Sequence, residues 1–156
     1  IEDILDYSKR ISLIKTLVNE FIPRSLFHDV FDNLYLNSNN IKTLVNDGHA
    51  IGGHGYCHNW LGFMNLYEQK KDINLSLAHI NKYTDDISSR MWFSYPYGNY
   101  NEETLEITKS ENIDFAVTTN WGAAKFSQGC HSLSRWDTNH FWNNQLNKPK
   151  MPDKFD

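Results

Sequence analysis

The sequence predicts an α/β protein with a parallel sheet, and three observations lead to this prediction. Apolar residues recur at steps of three and four in several segments, which is the spacing of amphipathic helices. Short segments rich in aromatic and β-branched residues, such as residues 115–119, are typical of buried strands. From Gly48 onward these strands alternate with helices, an order that favours parallel pairing. The 156 residues are enough for one domain with its own core.

The first part of the chain is predicted to be helical. Residues 3–21 and residues 24–35 each place apolar side chains on one face. A third helix is capped by Asn37 or Ser38, because both side chains can accept a backbone N–H of the first turn. It ends at Gly48, a residue type favoured after helices because it accepts positive φ.

Strands and helices are predicted to alternate in the rest of the chain. In order they are a strand at 49–53, a helix at about 65–83, a strand at 92–95, a helix that Asn101 caps and that reaches about Ser110, a strand at 115–119 and a last strand at 133–135. Ligands bind at the carboxyl ends of parallel strands. The turns that follow these strands are therefore expected to gather at one edge of the sheet.

Composition and charge exclude some classes of function. The formal charge is -4, without the clustered basic residues of a nucleic-acid surface, so we expect no nucleic-acid partner. No apolar segment has the length of a membrane span, and no signal peptide is visible. The chain begins at Ile1 and enters a helical pattern directly, which is typical of a fragment or a processed piece.

The histidine segment, residues 48–61, carries the strongest functional signal. His54 and His58 are four residues apart and are surrounded by glycines. Neutral imidazole is the commonest protein ligand for zinc and similar metals, so a glycine-rich turn with two histidines predicts half of a metal site. A catalytic site also needs a third protein ligand and an open position. We expect His49 to order the turn and Cys57 to be a small buried side chain.

Two segments, GHAIGGHGYCH at residues 48–58 and FSYPYGNYN at residues 93–101, resemble motifs of the polysaccharide deacetylases, the NodB homology domain. The sequence GHAIGGHGYCH at residues 48–58 is similar to their second motif, roughly G-H-E-I-G-x-H-[ST]-x-x-H. The sequence FSYPYGNYN at residues 93–101 is similar to their third motif, an aromatic-R-x-P-Y-G turn. The single helix between the two motifs and the strand at 115–119 also match the family's spacing. The resemblance covers residues 38–137.

The resemblance implies a distorted (β/α) barrel and the removal of N- or O-acetyl groups from a polysaccharide or glycan. The family's divalent metal, often zinc, is held by one aspartate and two histidines, which here are His54 and His58. Such a metal polarises the acetyl carbonyl and turns bound water into a nucleophile. Tyr95, Pro96 and Tyr97 would line the sugar groove, where a backbone N–H can stabilise the oxyanion. Aromatic faces that suit sugar rings are those of Trp121, Trp60 and Trp136. The family resemblance also implies the cell envelope or another extracytoplasmic location.

The family's first motif, T-F-D-D-G, which supplies the metal aspartate and the catalytic base, has no match here. Residues 1–36 resemble instead a helical insertion or extension, so the barrel would lack its first strands in this chain and the aspartates would lie upstream of Ile1. We expect residues 37–145 to form the C-terminal part of the barrel and residues 146–156 an irregular tail. This chain in isolation is expected to be inactive. Exposed strand edges would be covered by a missing N-terminal segment, a partner chain or a second copy.

Further positions depart from the family pattern and leave alternatives open. The arginine of the third motif is Ser94 here, so Arg135 is a candidate replacement and Asp137 a candidate supporting residue. The late Leu-x-x-His motif is absent, which leaves His131 or His140 as candidate acids. One alternative function is a degenerate, non-catalytic carbohydrate-binding domain of the same fold. Another is a different metal hydrolase, whose third ligand would be one of three side chains: His28, Asp29 or Asp137.

Overall fold

The computed structural model describes residues 7–84, 90–125, 127 and 129–137. The chain divides into two compact units, Ile1–Asp47 and Gly48–Asp156. The sequence predicted a domain boundary between residues 36 and 37. In the structure the boundary follows Asp47, so the third helix belongs to the N-terminal unit. The expected tail at 146–156 lies outside the described residues.

The N-terminal unit contains three helices, α1 (Tyr7–Phe21), α2 (Arg24–Leu34) and α3 (Ser38–Asn46). Helix α3 begins as predicted, because the Asn37 side chain accepts the N–H of Asn40 at 3.0 Å. The Asn40 side chain in turn accepts the N–H of Asn37, also at 3.0 Å, which completes a capping box. Within the described ranges, no helix combines the length and the apolar character needed to span a membrane.

The C-terminal unit contains a parallel sheet with two helices. Its strands are β1 (Trp92–Ser94), β2 (Phe115–Trp121) and β3 (Leu133–Arg135), in the order β1-β2-β3. The helices are α4 (Leu66–Ile80) and α5 (Glu102–Ser110), and α5 connects β1 to β2. Both strand pairs are parallel, which confirms the predicted pairing.

The predicted strand at 49–53 is wrong in extent. Only Gly53 pairs with the sheet, through an isolated parallel bridge to Phe93. The preceding residue, Gly52, approaches β1 so closely that an added Cβ would lie 2.9 Å from the Trp92 carbonyl oxygen. Glycines permit this approach but contribute no side chains to stabilise a longer strand. Strand β2, by contrast, extends two residues beyond the predicted end, to Trp121.

The core lies between the two helices and the sheet. Its buried apolar members are Leu61 before α4, Ile73 and Leu77 on α4, Phe93 and Tyr95 at β1, Ile107 on α5, Ile113 before β2 and Ala116 on β2. Helix α4 also turns three polar residues inward, namely Gln69, Asp72 and Ser76. Helix α5 begins as predicted, because the Asn101 side chain accepts the N–H of Thr104 at 2.9 Å.

The carboxyl ends of the strands lie at one edge of the sheet, because all the strands are parallel. His54 follows the bridging Gly53, and the turn Pro96–Gly98 follows β1. A Cβ on Gly98 would collide with Thr119 near the end of β2, so this turn packs directly on the neighbouring strand. The gathering of the predicted turns at one edge is thus confirmed.

Candidate functional site

His54 and His58 direct their Nε2 atoms toward each other at a separation of 3.1 Å. Two nitrogens bound to one tetrahedral zinc at ordinary Zn–N lengths lie about 3.3 Å apart. Two unprotonated imidazole nitrogens at this distance repel each other, so a shared cation or a proton on one of them is required. The pair therefore has the donor chemistry and nearly the spacing of two ligands to one divalent ion.

The orientation of the His54 ring is fixed by a backbone carbonyl. Its Nδ1 lies 2.7 Å from the carbonyl oxygen of Ser94, at the end of β1. A carbonyl only accepts hydrogen bonds, so the geometry assigns the proton to Nδ1 and leaves the lone pair on Nε2. Histidines that bind metals are commonly held in this way by a second hydrogen bond, which sets both tautomer and direction.

Two of the three described non-glycine residues with positive φ lie in the turns that form the site, and the third is Asn112 in the turn before β2. His58 has φ of 54° and Tyr97 has φ of 57°, in the left-handed region that residues other than glycine rarely adopt. The two rings contact each other, with centroids 4.7 Å apart. Such conformations persist where the surrounding structure imposes them, and they cluster at functional sites.

Asp72 holds the backbone of the histidine turn and was not found by sequence reasoning. Its carboxylate accepts the N–H of Tyr56 at 2.8 Å and the N–H of Cys57 at 2.9 Å. The side chain is buried on the inner face of α4. Gly55 makes this possible, because a Cβ there would lie 2.9 Å from Asp72 Oδ2. The available signal was a set of polar residues spaced by three and four beside the apolar positions of α4.

Two of the residues expected to line a sugar groove are instead buried. Tyr95 and Pro96 are almost fully inaccessible, so their side chains contribute to the core, which corrects the expectation. The Tyr95 hydroxyl donates to the carbonyl oxygen of His131 at 2.8 Å and lies 3.3 Å from the Thr108 hydroxyl. Burial raises the pKa of Tyr95 to about 12. Of the three residues, only Tyr97, which is 43% exposed, presents its ring to solvent.

Three further candidates lie at the carboxyl ends of β2 and β3. Trp121 is exposed and pairs in register with Arg135. Arg135 and Asp137 are both exposed. Through Val117, Ser94 is in register with Leu133, which lies two strand spacings, about 10 Å, away, and Arg135 lies two residues further along β3. Its replacement of the family's arginine therefore requires an extended side chain and stays a prediction.

The remaining candidate residues either lie in positions that differ from those expected or fall outside the described residues. His131 precedes β3 and lies at its amino end, away from the carboxyl edge, so it is wrongly placed for the acid. Cys57 is exposed, not buried as expected. His140 lies outside the described residues, as does the side chain of His28. Asp29 lies on α2 in the N-terminal unit, and its ligand role stays a prediction.

The described residues do not contain a complete ligand set. Among them, no group of three or more histidine, cysteine, aspartate or glutamate side chains is arranged to hold a metal ion. This finding contradicts the alternative in which Asp137 completes the site with His54 and His58. The structure therefore brings together two donors of the predicted centre, and it adds Ser94 and Asp72 as the groups that position them.

Comparison with known proteins identifies related sequences and folds. The family model for polysaccharide deacetylases matches residues 15–116, which include both motifs. The chain is 30% identical over 103 residues to the "Putative polysaccharide deacetylase YxkH" of Bacillus subtilis (strain 168), covering 65% of this chain and 36% of that protein. The match therefore spans about a third of this relative's length.

Solved structures show the same fold. The deacetylase PplD of Streptococcus pyogenes, solved in complex with acetate, is 25% identical with a TM-score of 0.61, over 69% of this chain and 48% of that one. BC0361, a polysaccharide deacetylase from Bacillus cereus, is 22% identical with a TM-score of 0.55, over 65% of this chain and 32% of that one. These similarities confirm the expected fold as an incomplete (β/α) barrel.

Proposed function

The chain belongs to the polysaccharide deacetylase family, and on this premise we propose that it supplies the histidine half of a metal-dependent hydrolase that removes acetyl groups from a polysaccharide. The observation that carries the proposal is the 3.1 Å approach of the Nε2 atoms of His54 and His58. The relative PplD was solved with acetate, and acetate is the product that we propose for the intact protein here.

The donor chemistry fits a divalent ion, and zinc is the choice that paired imidazoles favour. When bound, such an ion supplies Lewis acidity, which polarises an acyl carbonyl and lowers the pKa of water. His54 and His58 would hold it. The third ligand and the base are, by family resemblance, aspartates that this chain does not provide in a matching motif. We therefore assign the activity to the intact protein and expect none from these 156 residues alone.

The residues of this chain have distinct roles in the proposed reaction. The Ser94 carbonyl keeps the Nε2 lone pair of His54 directed into the site. Asp72 fixes the turn from which His58 projects. A backbone N–H of the turn at 95–98 would donate to the oxyanion as the acetyl carbon becomes tetrahedral. Tyr97 and Trp121, both partly exposed, would contact the sugar.

Replacement of each histidine tests the proposal. In the intact protein, His54→Ala and His58→Ala should each lower metal affinity by more than about 100-fold, a larger loss than that caused by changes to groups that only orient ligands. Metal content by elemental analysis and acetate release from an acetylated glycan are the two measurements. His79→Ala is the matched control, because this exposed histidine lies near the end of α4 and outside the histidine segment. Unchanged metal content and activity in both variants would refute the proposal.

A second candidate is a carbohydrate-binding domain of the same fold without catalytic activity. The binding-domain function is favoured by Ser94, which stands where the family has an arginine. The chain therefore lacks a charged group that the family places beside its catalytic aspartate. The residues encoded before Ile1 discriminate between the two functions. A strand that ends in two adjacent aspartates supports the hydrolase, and their absence supports the binding domain.

The family resemblance also supports proposals about the cellular location of the intact protein and about its assembly. We expect the intact protein in the cell envelope or outside the cytoplasm, which cell fractionation with an antibody against this chain would test. A partner chain or a second copy would cover strand edges that the described sheet leaves unpaired, since open edges favour association. Light scattering of the purified intact protein measures its oligomeric state, and a monomer would contradict the homo-oligomer.

A further inference from the structure

A continuous ladder of four rings leads away from the histidine pair. The ring centroids of His58 and Tyr97 are 4.7 Å apart, and those of Tyr97 and Trp60 are 4.9 Å apart. The next step, from Trp60 to Phe63, is 5.5 Å, with the planes of these two rings only 6° from parallel. The sequence motifs account for His58 and Tyr97, but not for Phe63 at the outer end.

Phe63 is held outward by an ordered backbone. The short helical turn Leu61–Phe63 buries Leu61 completely and leaves Phe63 76% exposed. Between them, the N–H of Gly62 donates to Asn99 Oδ1 at 2.7 Å, and its carbonyl accepts from the Asn101 side chain at 3.3 Å. The outward position of the phenyl ring is therefore fixed by the scaffold before any ligand binds.

Trp60, in the middle of the ladder, has an unsatisfied donor. Its indole Nε1 is buried and has no hydrogen-bond partner in the described part of the chain. An unpaired buried N–H is unfavourable. The contacts that hold the Trp60 ring are its stacking with Tyr97 and with Phe63.

From these contacts we infer that Phe63 and Trp60 form a distal sugar subsite for the proposed polysaccharide substrate. This inference rests on the proposed function, because the direction of the ladder is measured from the histidines. The three ring-to-ring distances place the centroid of Phe63 at most about 15 Å from that of His58. The outer face of Phe63 would therefore contact a pyranose ring two or three units away from the acetylated sugar at the histidines.

The chemistry of the ladder favours a sugar over other occupants. The ladder begins at a pair of polar imidazoles, and this polar end suits a hydroxyl-bearing ligand better than it suits the apolar centre of a protein interface. The C–H groups on a pyranose face pack against an aromatic face such as the exposed ring of Phe63. The consequence is that affinity should rise with chain length until the chain reaches Phe63.

Calorimetric titration of the intact protein with linear N-acetylglucosamine oligomers of one to six units tests the inference. For the wild type we expect affinity to increase up to three or four units. Phe63→Ala should weaken binding of the long oligomers by about three- to tenfold, the range of one aromatic contact, and leave the single sugar unaffected. Phe63→Trp should restore the preference for long oligomers, and Phe63→Leu should not.

Tyr67→Ala is the matched control, because Tyr67 is 75% exposed and lies outside the ladder. Equal affinity of wild type and Phe63→Ala for long oligomers would overturn the subsite. So would an equal loss at every length, or the absence of binding by the wild type. Acetate release is measured in parallel. If length-dependent binding through Phe63 persists without acetate release, the subsite is supported and the hydrolase proposal fails.

Discussion

Asp72 on α4 accepts the backbone N–H of Cys57 at 2.9 Å, although the two residues are 15 positions apart in the sequence. The bond connects the core helix to the turn that carries the paired histidines. A carboxylate that satisfies backbone donors of a loop fixes the path of that loop, because each buried donor left unpaired is costly. The geometry of the candidate site thus depends on Asp72, whose side chain binds the backbone of the histidine turn and not the imidazole rings.

Replacement of Asp72 is expected to lower both stability and metal affinity. Asp72→Ala leaves two backbone donors of the turn without their acceptor, which should cost about 1–3 kcal/mol of unfolding free energy. Metal affinity should fall about 10- to 100-fold, as for other groups that orient ligands. Asp114→Ala is the control, because that carboxylate accepts the N–H of Met91 at 2.7 Å outside the histidine turn. Equal metal affinities of the two variants would contradict the positioning role.

Substitution of Gly55 tests the tight contact between the turn and α4. Gly55→Ala combines strain from a φ of 71° with a Cβ 2.9 Å from Asp72 Oδ2. Gly48→Ala adds only the strain, about 1–2 kcal/mol, because nothing lies within 4 Å of its Cβ at φ 87°. Urea denaturation should therefore show a larger loss for Gly55→Ala, accompanied by weaker metal binding. Similar losses in both variants would show that the contact is unimportant.

Tyr95 should make stability sensitive to alkaline pH. Burial raises its pKa from 10.0 to about 12, so the unfolded chain loses the phenolic proton more readily than the folded one. Its contribution to stability is complete below pH 10 and is lost as the pH rises toward 12. Tyr95→Phe should cost about 1 kcal/mol at neutral pH, through the lost bond to the His131 carbonyl. The same variant should show a smaller fall in the thermal unfolding midpoint between pH 10 and 12 than the wild type. An equal fall in both proteins would contradict the role of Tyr95 in this pH dependence.

His131 should contribute in the opposite pH direction. Burial, together with the nearby Lys109 charge, lowers its pKa below 6.5, against a smaller effect of Asp114. The unfolded chain therefore binds a proton first as the pH falls, so this contribution is present above pH 6.5 and is lost below it. His131→Gln should reduce the drop in thermal midpoint between pH 7 and 5, while His49→Ala should not. Identical pH profiles for His131→Gln and wild type would refute the prediction.

Local sequence signals predicted the elements and the identity of the candidate ligands. Asn37 and Asn101 marked helix starts because a cap is formed with residues two or three positions away. The two motifs located the turns that carry His54 and Tyr97, and the alternation of elements predicted parallel strands whose carboxyl ends meet. These features depend on neighbours in the chain, so the sequence by itself determined them.

Tertiary structure decided which polar side chains are buried and what they hold. Asp72 has a residue type that usually lies at the surface, and only the packing of α4 against the histidine turn turns it inward. Tyr95 belongs to the sugar-groove motif, yet its hydroxyl reaches the His131 carbonyl through the core. Both outcomes depend on partners 15 and 36 positions away in the sequence. The burial and alignment of such distant groups arise only when the elements pack together, so the spacing of polar residues on α4 could indicate an inward face but not the partners that these groups bind.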